Sequence, residues 1–228
     1  MNIKNLLSWF HPTIDALLLK DIPFHYRWRL LLFQPLAILS YLINTLPLLF
    51  SNRYSEFEIP IRNGRKVRSL LYLPPQSITG DSRAFTTLQA ESPSTAARVP
   101  LRPLHLDIHS GAFLGGIPEA NHRFCTALSD RTGAVVISTT YRFAPRHPFP
   151  AAIEDIDDVV AWLCENAEAD FQADPTCFTT SGFSAGGNLA LATSLTNSDG
   201  APAKQTNVKA VVTFYAAVRY FQSTTHCH

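Results

Sequence analysis

No charged residue appears between Arg29 and Arg53, and beyond that run the chain changes period several times. Residues 30–50, LLLFQPLAILSYLINTLPLLF, are long enough as a helix to span a hydrocarbon core of about 30 Å. Lys20, Arg27 and Arg29 on the N-terminal side would set that side in the cytoplasm. Pro35 and Pro47, with Gln34 and Asn44, fit a second arrangement equally: two proline-broken helices buried under the rest of the protein. The preceding LLSWFHPTIDALLLKDI has apolar residues at near-helical spacing, suited to a membrane surface or to a core. It lacks the long apolar region and small-residue cleavage site of a signal peptide. Residues 1–54 therefore read as an apolar N-terminal cap or as a membrane-associated segment.

Residues 56–74, EFEIPIRNGRKVRSLLYLP, alternate apolar and polar positions on both sides of Asn63-Gly64. Asn-Gly tolerates the positive φ angles of a tight turn, so this segment predicts a β-hairpin. Residues 75–100, rich in Ser, Thr, Pro and Ala, read as an exposed insertion without a motif. From residue 101 strand and helix patterns alternate. PLHLDIHS is a short strand, and PEANHRFCTALSDRTG is a helix with Pro118 in its first turn and Gly133 as its C-terminal cap. AVVISTTY is a β-branched run of the kind buried on both faces. AAIEDIDDVVAWLCENA sets Ile153, Ile156, Val160 and Leu163 on one helical face. TCFTTSG, AGGNLALATSL and VKAVVTFYAAV add a strand, a helix and a strand. This alternation predicts an α/β core over residues 55–228, a mostly parallel sheet with helices on both faces.

Composition narrows the function only by exclusion. A hydrophobic share of 46% with 15 phenylalanines is that of a globular chain. A net charge of +1, from 19 basic and 18 acidic residues, gives no electrostatic reason to bind nucleic acid. Cys125, Cys164, Cys177 and Cys227 are widely spread with no C-x-x-C pair, which reads as buried thiols in a reducing compartment. No N-x-[ST] sequon occurs. The expectation is an intracellular protein, cytoplasmic or membrane-associated.

The chemistry concentrates in two turns. Gly182-Phe183-Ser184-Ala185-Gly186 is a G-x-S-x-G pentapeptide with a strand before it and a helix after it. That context is a nucleophile elbow: glycines permit a sharp bend that exposes the serine oxygen and aims the helix N-terminus at it. HSGAFLGG, residues 109–116, follows the strand PLHLDI, where such a fold carries its oxyanion loop. Backbone N–H groups of Gly111, Ala112 and Ala185 are the candidate oxyanion donors. The candidate nucleophile is Ser184.

HSGAF, YRFAPRHPFPAAIEDIDD and GFSAGGNLAL, in that order, resemble the three signature blocks of the hormone-sensitive-lipase-like group of α/β-hydrolases, in a form similar to filamentous-fungal members. The resemblance covers about residues 55–221. It implies an α/β-hydrolase fold with a helical cap and hydrolysis of small apolar carboxylic esters through an acyl-enzyme, with no cofactor and no metal. His109, by the same resemblance, orients the oxyanion loop. Fungal members also occur in secondary-metabolite and toxin gene clusters. Three departures stand out: Ser110 replaces the first glycine of H-G-G, Phe183 replaces the aspartate common before the nucleophile, and Arg219 stands where relatives often have aspartate.

A serine hydroxyl needs a base, and in this fold the order is Ser, then Asp or Glu, then His. Relatives place the acid and histidine on later strands, and the sequence stops soon after VKAVVTFYAAV, so the triad acid and base are unassigned. His147 reads as structural, Asp155 and Asp157 as first-turn helix residues, and Asp199 as lying some 20 Å toward the opposite edge of the sheet at about 1.5 Å per helical residue. The tail QSTTHCH offers His226 and His228 as surrogate bases. Besides a serine ester hydrolase, two alternatives stay open: a catalytically impaired small-molecule binder, and a C-terminally truncated product exposing a sheet edge.

Overall fold

The computed structural model describes residues 10–18, 23–45, 48, 52–75, 100–195 and 208–218. Among the described residues two helices come first, α1 (His11–Leu18) and α2 (Phe24–Thr45). Strands β1 (Ser55–Ile61) and β2 (Arg65–Tyr72) follow, then β3 (Arg102–Ile108), α3 (His122–Thr132), β4 (Val135–Thr139), α4 (Ala151–Phe171), β5 (Ala173–Phe183), α5 (Ala185–Leu195) and β6 (Val208–Phe214). Among the described residues the strands form one six-stranded sheet in the order β1-β2-β4-β3-β5-β6. β2 pairs antiparallel with β1 and β4, and the other neighbours pair in parallel.

The hairpin forms where the alternation places it. Ile61 pairs with Arg65, and the three-residue connection carries Asn63 at φ 61° and Gly64 at φ 68°. Those left-handed angles are the ones Asn and Gly adopt at least cost. The helix expected from Pro118 divides in two, a 3₁₀ turn over Pro118–Asn121 and then α3, which ends at Gly133 with φ 73° as expected.

Helices cover both faces. On one, Ile156, Val159, Val160 and Leu163 of α4 and Leu189 and Ala190 of α5 pack on Leu104, Leu106, Ile108, Val135, Ile137 and Phe178. On the other, Cys125 of α3 packs with Leu70, Tyr72 and Val136. β3 and β4 lie centrally, and every residue from Leu104 to Ile108 and from Val135 to Thr139 is buried. Parallel strands covered on both sides require such runs.

Two expectations need correction. α2 runs through Pro35 as one 22-residue helix, so the chain does not break there, and Pro47 lies outside the described residues. No helix among the described residues is long and apolar enough to cross a membrane. Asp155 and Asp157 are not first-turn residues either: α4 starts at Ala151, and its first-turn acid is Glu154. Asp155 is fully buried and accepts from the Arg142 backbone N–H at 2.9 Å and its Nε at 2.8 Å. Asp157 accepts from Thr193 Oγ1 at 2.5 Å, and Asp158 accepts from the Arg62 backbone N–H and Nε, both at 2.8 Å. Successive carboxylates of α4 thus fix the 142–150 loop, α5 and the hairpin. The proposed insertion lies almost wholly outside the described residues, at 76–99.

Removing one partner of a buried, hydrogen-bonded ion pair strands the other and costs about 3 kcal/mol or more. Asp155→Ala is therefore expected to lower the urea unfolding free energy by about 3 kcal/mol, while Glu154→Ala, on a half-exposed carboxylate, changes it by under about 1 kcal/mol.

Candidate active site

β5 ends at Phe183 and α5 begins at Ala185, leaving Ser184 alone on the bend with φ 51°. A β-carbon on Gly182 would lie 2.2 Å from the Gly186 carbonyl oxygen, and one on Gly186 would lie 2.1 Å from the Ile108 carbonyl oxygen. Both contacts are with backbone, which cannot yield as a side-chain tip can, so the turn admits only glycine at these positions. The Gly186 contact also brings the start of α5 against the end of β3, where the 109–116 loop departs. Ser184 N–H donates to the Phe214 carbonyl at 2.9 Å, and Asn188 Nδ2 donates to the Ala217 carbonyl at 3.0 Å. These bonds tie the elbow to the segment following β6.

The loop after β3 is tightly wound. Gly111 has φ 144°, Ala112 φ 53° and Phe113 φ 62°, and the N–H groups of Leu114 and Gly115 both close on the Gly111 carbonyl, at 2.9 and 3.2 Å. Ser110 is not among the left-handed residues, which explains why a side chain is accommodated there. Among the described residues, none of the backbone N–H groups of Gly111, Ala112 and Ala185 has an acceptor.

His109 lies beneath this loop, fully buried. Nδ1 is 2.6 Å from the Ser110 carbonyl oxygen, which can only accept, so Nδ1 carries the proton. Nε2 then accepts from Thr140 Oγ1 at 3.0 Å. The ring stacks on Tyr141 with centroids 4.8 Å apart, and Gly116 sits so close that a β-carbon there would reach within 2.4 Å of the imidazole. Burial pushes the His109 pKa down to about 4, so the ring is neutral near pH 7 with both nitrogens engaged. This places it as a support of the loop.

A serine–histidine–aspartate grouping lies within the sheet, away from Ser184, and was not apparent from sequence. Ser181 Oγ donates to Asp107 Oδ1 at 2.9 Å and is 2.8 Å from His105 Nε2, while His105 Nδ1 is 2.8 Å from Thr179 Oγ1. Asn121 Nδ2 donates to Asp107 Oδ2 at 2.8 Å. Burial raises Asp107 to about 6 and lowers His105 to about 4. These groups are buried with their hydrogen bonds spent on one another, so no substrate meets them. Ser184 is the opposite case, half-buried and, among the described residues, with no hydrogen-bond partner on its hydroxyl.

No described histidine or carboxylate is hydrogen-bonded to Ser184. His147 donates its backbone N–H to the Phe143 carbonyl at 2.9 Å and lines a cavity of about 270 Å³ with Asp15, Tyr141, Phe143 and Arg146; Ser184 is not in its wall. Asp199, Arg219, His226 and His228 lie outside the described residues. No group of three or more potential metal ligands occurs among the described residues. Sequence reasoning also missed what Phe183 does: its ring stacks on Phe214 at 4.4 Å and meets Phe124 edge-on at 5.4 Å. A carboxylate at that position would have neither partner.

Comparison with known proteins agrees with the three sequence blocks. A family model described as alpha/beta hydrolase fold matches residues 105–227. The versiconal hemiacetal acetate esterase of Dothistroma septosporum is 37% identical over 94 residues, 41% of this chain and 28% of that protein. The arylesterase of Saccharolobus solfataricus is 38% identical over 92 residues, 40% of this chain and 30% of that protein. Among solved structures, the hyperthermophilic esterase of Pyrobaculum calidifontis superposes with a TM-score of 0.60 at 29% identity, over 79% of this chain and 50% of its own. The chain thus spans under a third of these curated relatives and half of that structure.

A histidine whose folded pKa is depressed stabilises the fold above its unfolded value of about 6.5, and that stability drains away as pH falls toward the folded value. Both His105 and His109 act in this sense between about 6.5 and about 4. Asp107, with its raised pKa, acts in the opposite sense between about 3.8 and about 6. His109→Gln is expected to flatten the rise of unfolding free energy between pH 4 and 6.5 relative to the unsubstituted protein, by about 1.4 kcal/mol per pKa unit of depression removed, read from urea titrations at each pH.

Proposed function

The chain belongs to the alpha/beta hydrolase fold family, in its hormone-sensitive-lipase-like group, and we propose that it is a serine hydrolase of small apolar carboxylic esters with Ser184 as nucleophile. The observation that carries this reading is the elbow itself: a left-handed, half-exposed Ser184 at the carboxyl end of β5, backed by glycines that press α5 onto the base of the 109–116 loop. Ser184 Oγ bonds to the ester carbonyl carbon as its proton passes to a base. The carbonyl oxygen takes negative charge and receives the N–H groups of Gly111, Ala112 and Ala185, each worth about 3 kcal/mol in such a site. Collapse expels the alcohol, which takes up the proton, and water then releases the acid from the acyl-enzyme. His109 positions the loop and transfers no proton in this scheme. The relatives' names, those of ester hydrolases, support the substrate class. A place in secondary-metabolite or toxin biosynthesis rests on the fungal resemblance alone. In domain terms the reading assigns residues 1–54 to a cap and 55–228 to the catalytic core.

The test is covalent labelling. A fluorophosphonate is expected to add one phosphonyl group to the full chain, at Ser184 by peptide mass, and none to Ser184→Ala. Folded protein that takes no label overturns the nucleophile and favours a binding role.

One observation favours a further element of this reading, attachment of α2 to a lipid surface. Phe24, Trp28, Leu32, Leu39 and Ile43 fall on one side of α2 and all are exposed, whereas Thr45 is buried. Apolar residues on the outer face invert the usual arrangement and suit a helix lying in the plane of a membrane interface. The full chain is expected to float with phosphatidylcholine vesicles on a sucrose gradient, and Leu32→Glu with Leu39→Glu to cut the bound fraction at least about fivefold. Equal flotation of both proteins overturns the attachment.

A further inference from the structure

β5 and β6 end together. Phe183 pairs with Phe214 in register, so the next residues, Ser184 and Tyr215, stand side by side at the sheet's carboxyl edge. The Ser184 N–H bond to the Phe214 carbonyl locks that adjacency. Around it the rings form a continuous series. Phe183 stacks on Phe214 with an interplanar angle of 13°, and Tyr215 meets Phe183 at 6.0 Å and 63°. Phe124 closes the inner end against both phenylalanines, at 5.4 and 5.6 Å. The series runs from the sheet interior to the surface: Phe183 and Phe214 are half-buried and Tyr215 is 75% exposed.

Tyr215 is held there by its backbone. Its φ of 44° is costly for an aromatic residue, and such conformations persist where the surrounding structure fixes them. Here the fixing contacts are the Phe214 bond to Ser184 on the elbow and the Ala217 bond to Asn188 in the first turn of α5. A strained backbone therefore presents an exposed ring beside the nucleophile instead of letting it fold away.

We infer that Phe183, Phe214 and Tyr215 form an aromatic shelf beside Ser184 that receives a flat aromatic group of the substrate, making aryl-bearing esters the preferred class. This deepens the ester-hydrolase reading and rests on it for the identity of the ligand. Offset and edge-to-face ring contacts favour an aromatic guest over an aliphatic one of equal area, and a partly exposed edge such as Tyr215 supplies that geometry without an induced change. No titrating or metal-binding group is needed for the selection, which is made by ring contact alone.

The test separates binding from catalysis. The full-length Ser184→Ala protein, which has no nucleophile to consume the ester, is titrated with 1-naphthyl acetate by fluorescence anisotropy, and n-hexyl acetate is measured by competition. Naphthyl acetate is expected to bind at least about fivefold tighter than hexyl acetate. Tyr215→Ala in the same background, a change at an exposed side chain, is expected to weaken naphthyl acetate about three- to tenfold and hexyl acetate less than twofold. Phe183→Leu is expected to act in the same direction. Equal affinities for the two esters, no binding of either, or a preference untouched by Tyr215→Ala overturns the shelf. Fluorophosphonate labelling of the protein with Ser184 intact is scored separately, so a failed nucleophile and a failed shelf give different results.

Discussion

The close approach of Gly186 to the carbonyls of Ile108 and His109 is the contact on which the rest of the site depends. It joins two crossovers that are distant in sequence, the loop after β3 and the helix after β5, at a separation that no side chain permits. Parallel pairing of Ile108 with Gly182 sets the two strand ends level, and the missing β-carbons then let α5 seat directly on the loop base. From that contact follow the exposure of Ser184, the direction of the α5 N-terminus and the position of the N–H groups of Gly111 and Ala112. His109 completes the arrangement from below. A neutral imidazole that donates to Ser110 and accepts from Thr140 connects the loop to the end of β4, so three adjacent strands hold one loop.

Much of this was legible in the sequence because backbone geometry has local signatures. Gly133 at a helix end and Asn63-Gly64 between alternating runs mark conformations that few other residues adopt, and Gly182 and Gly186 around Ser184 mark a backbone approach too close for a β-carbon. The β-branched run before Tyr141 announced a strand buried on both faces, and β4 is buried throughout. What failed to show was partnership across long separations. Asp155 looks like a helix-start carboxylate until Arg142, thirteen positions earlier in a loop, is seen to wrap onto it. α2 passes Pro35 without a break, since a proline in a long helix removes one donor and leaves the turns on either side intact. The departure at Phe183 could be noted from sequence but not understood. Its partners Phe214 and Phe124 come from β6 and α3, and only the sheet order brings them together.

Two serines with contrasting surroundings show how burial decides which hydroxyls this fold leaves accessible. Ser181 and Ser184 are three residues apart, yet Ser181 points into the sheet and Ser184 stands clear of it. The first has a carboxylate and an imidazole within 2.9 Å, the grouping that a search for catalytic residues would select. Desolvation removes it from use: it holds Asp107 toward its protonated form and His105 toward its neutral form, and the three hydroxyl, amide and imidazole partners satisfy one another. The network belongs to the sheet's stability. Access, rather than the inventory of nearby groups, sets Ser184 apart from Ser181.

The distribution of backbone strain leads to the same place. Among the described residues, six that are not glycine have positive φ: Asn63, Ala112, Phe113, Gln172, Ser184 and Tyr215. Asn63 turns a hairpin and Gln172 caps α4, ordinary uses of a left-handed residue. The other four have β-carbons with no polar group suited to that conformation, or an aromatic ring that opposes it, and each costs of the order of 1 kcal/mol or more. All four lie at the carboxyl edge of the sheet, two in the loop after β3, one on the elbow and one at the end of β6. Strain of that kind is retained only where packing over-determines the backbone, and here the core on both sheet faces supplies the packing. The sheet interior is relaxed and the edge is held out of its preferred conformations, so the stability of the one is spent in fixing the geometry of the other. On the proposed reading, an ester bound at this edge would meet donors and rings already in position, which is the condition for stabilising a developing oxyanion without reorganisation.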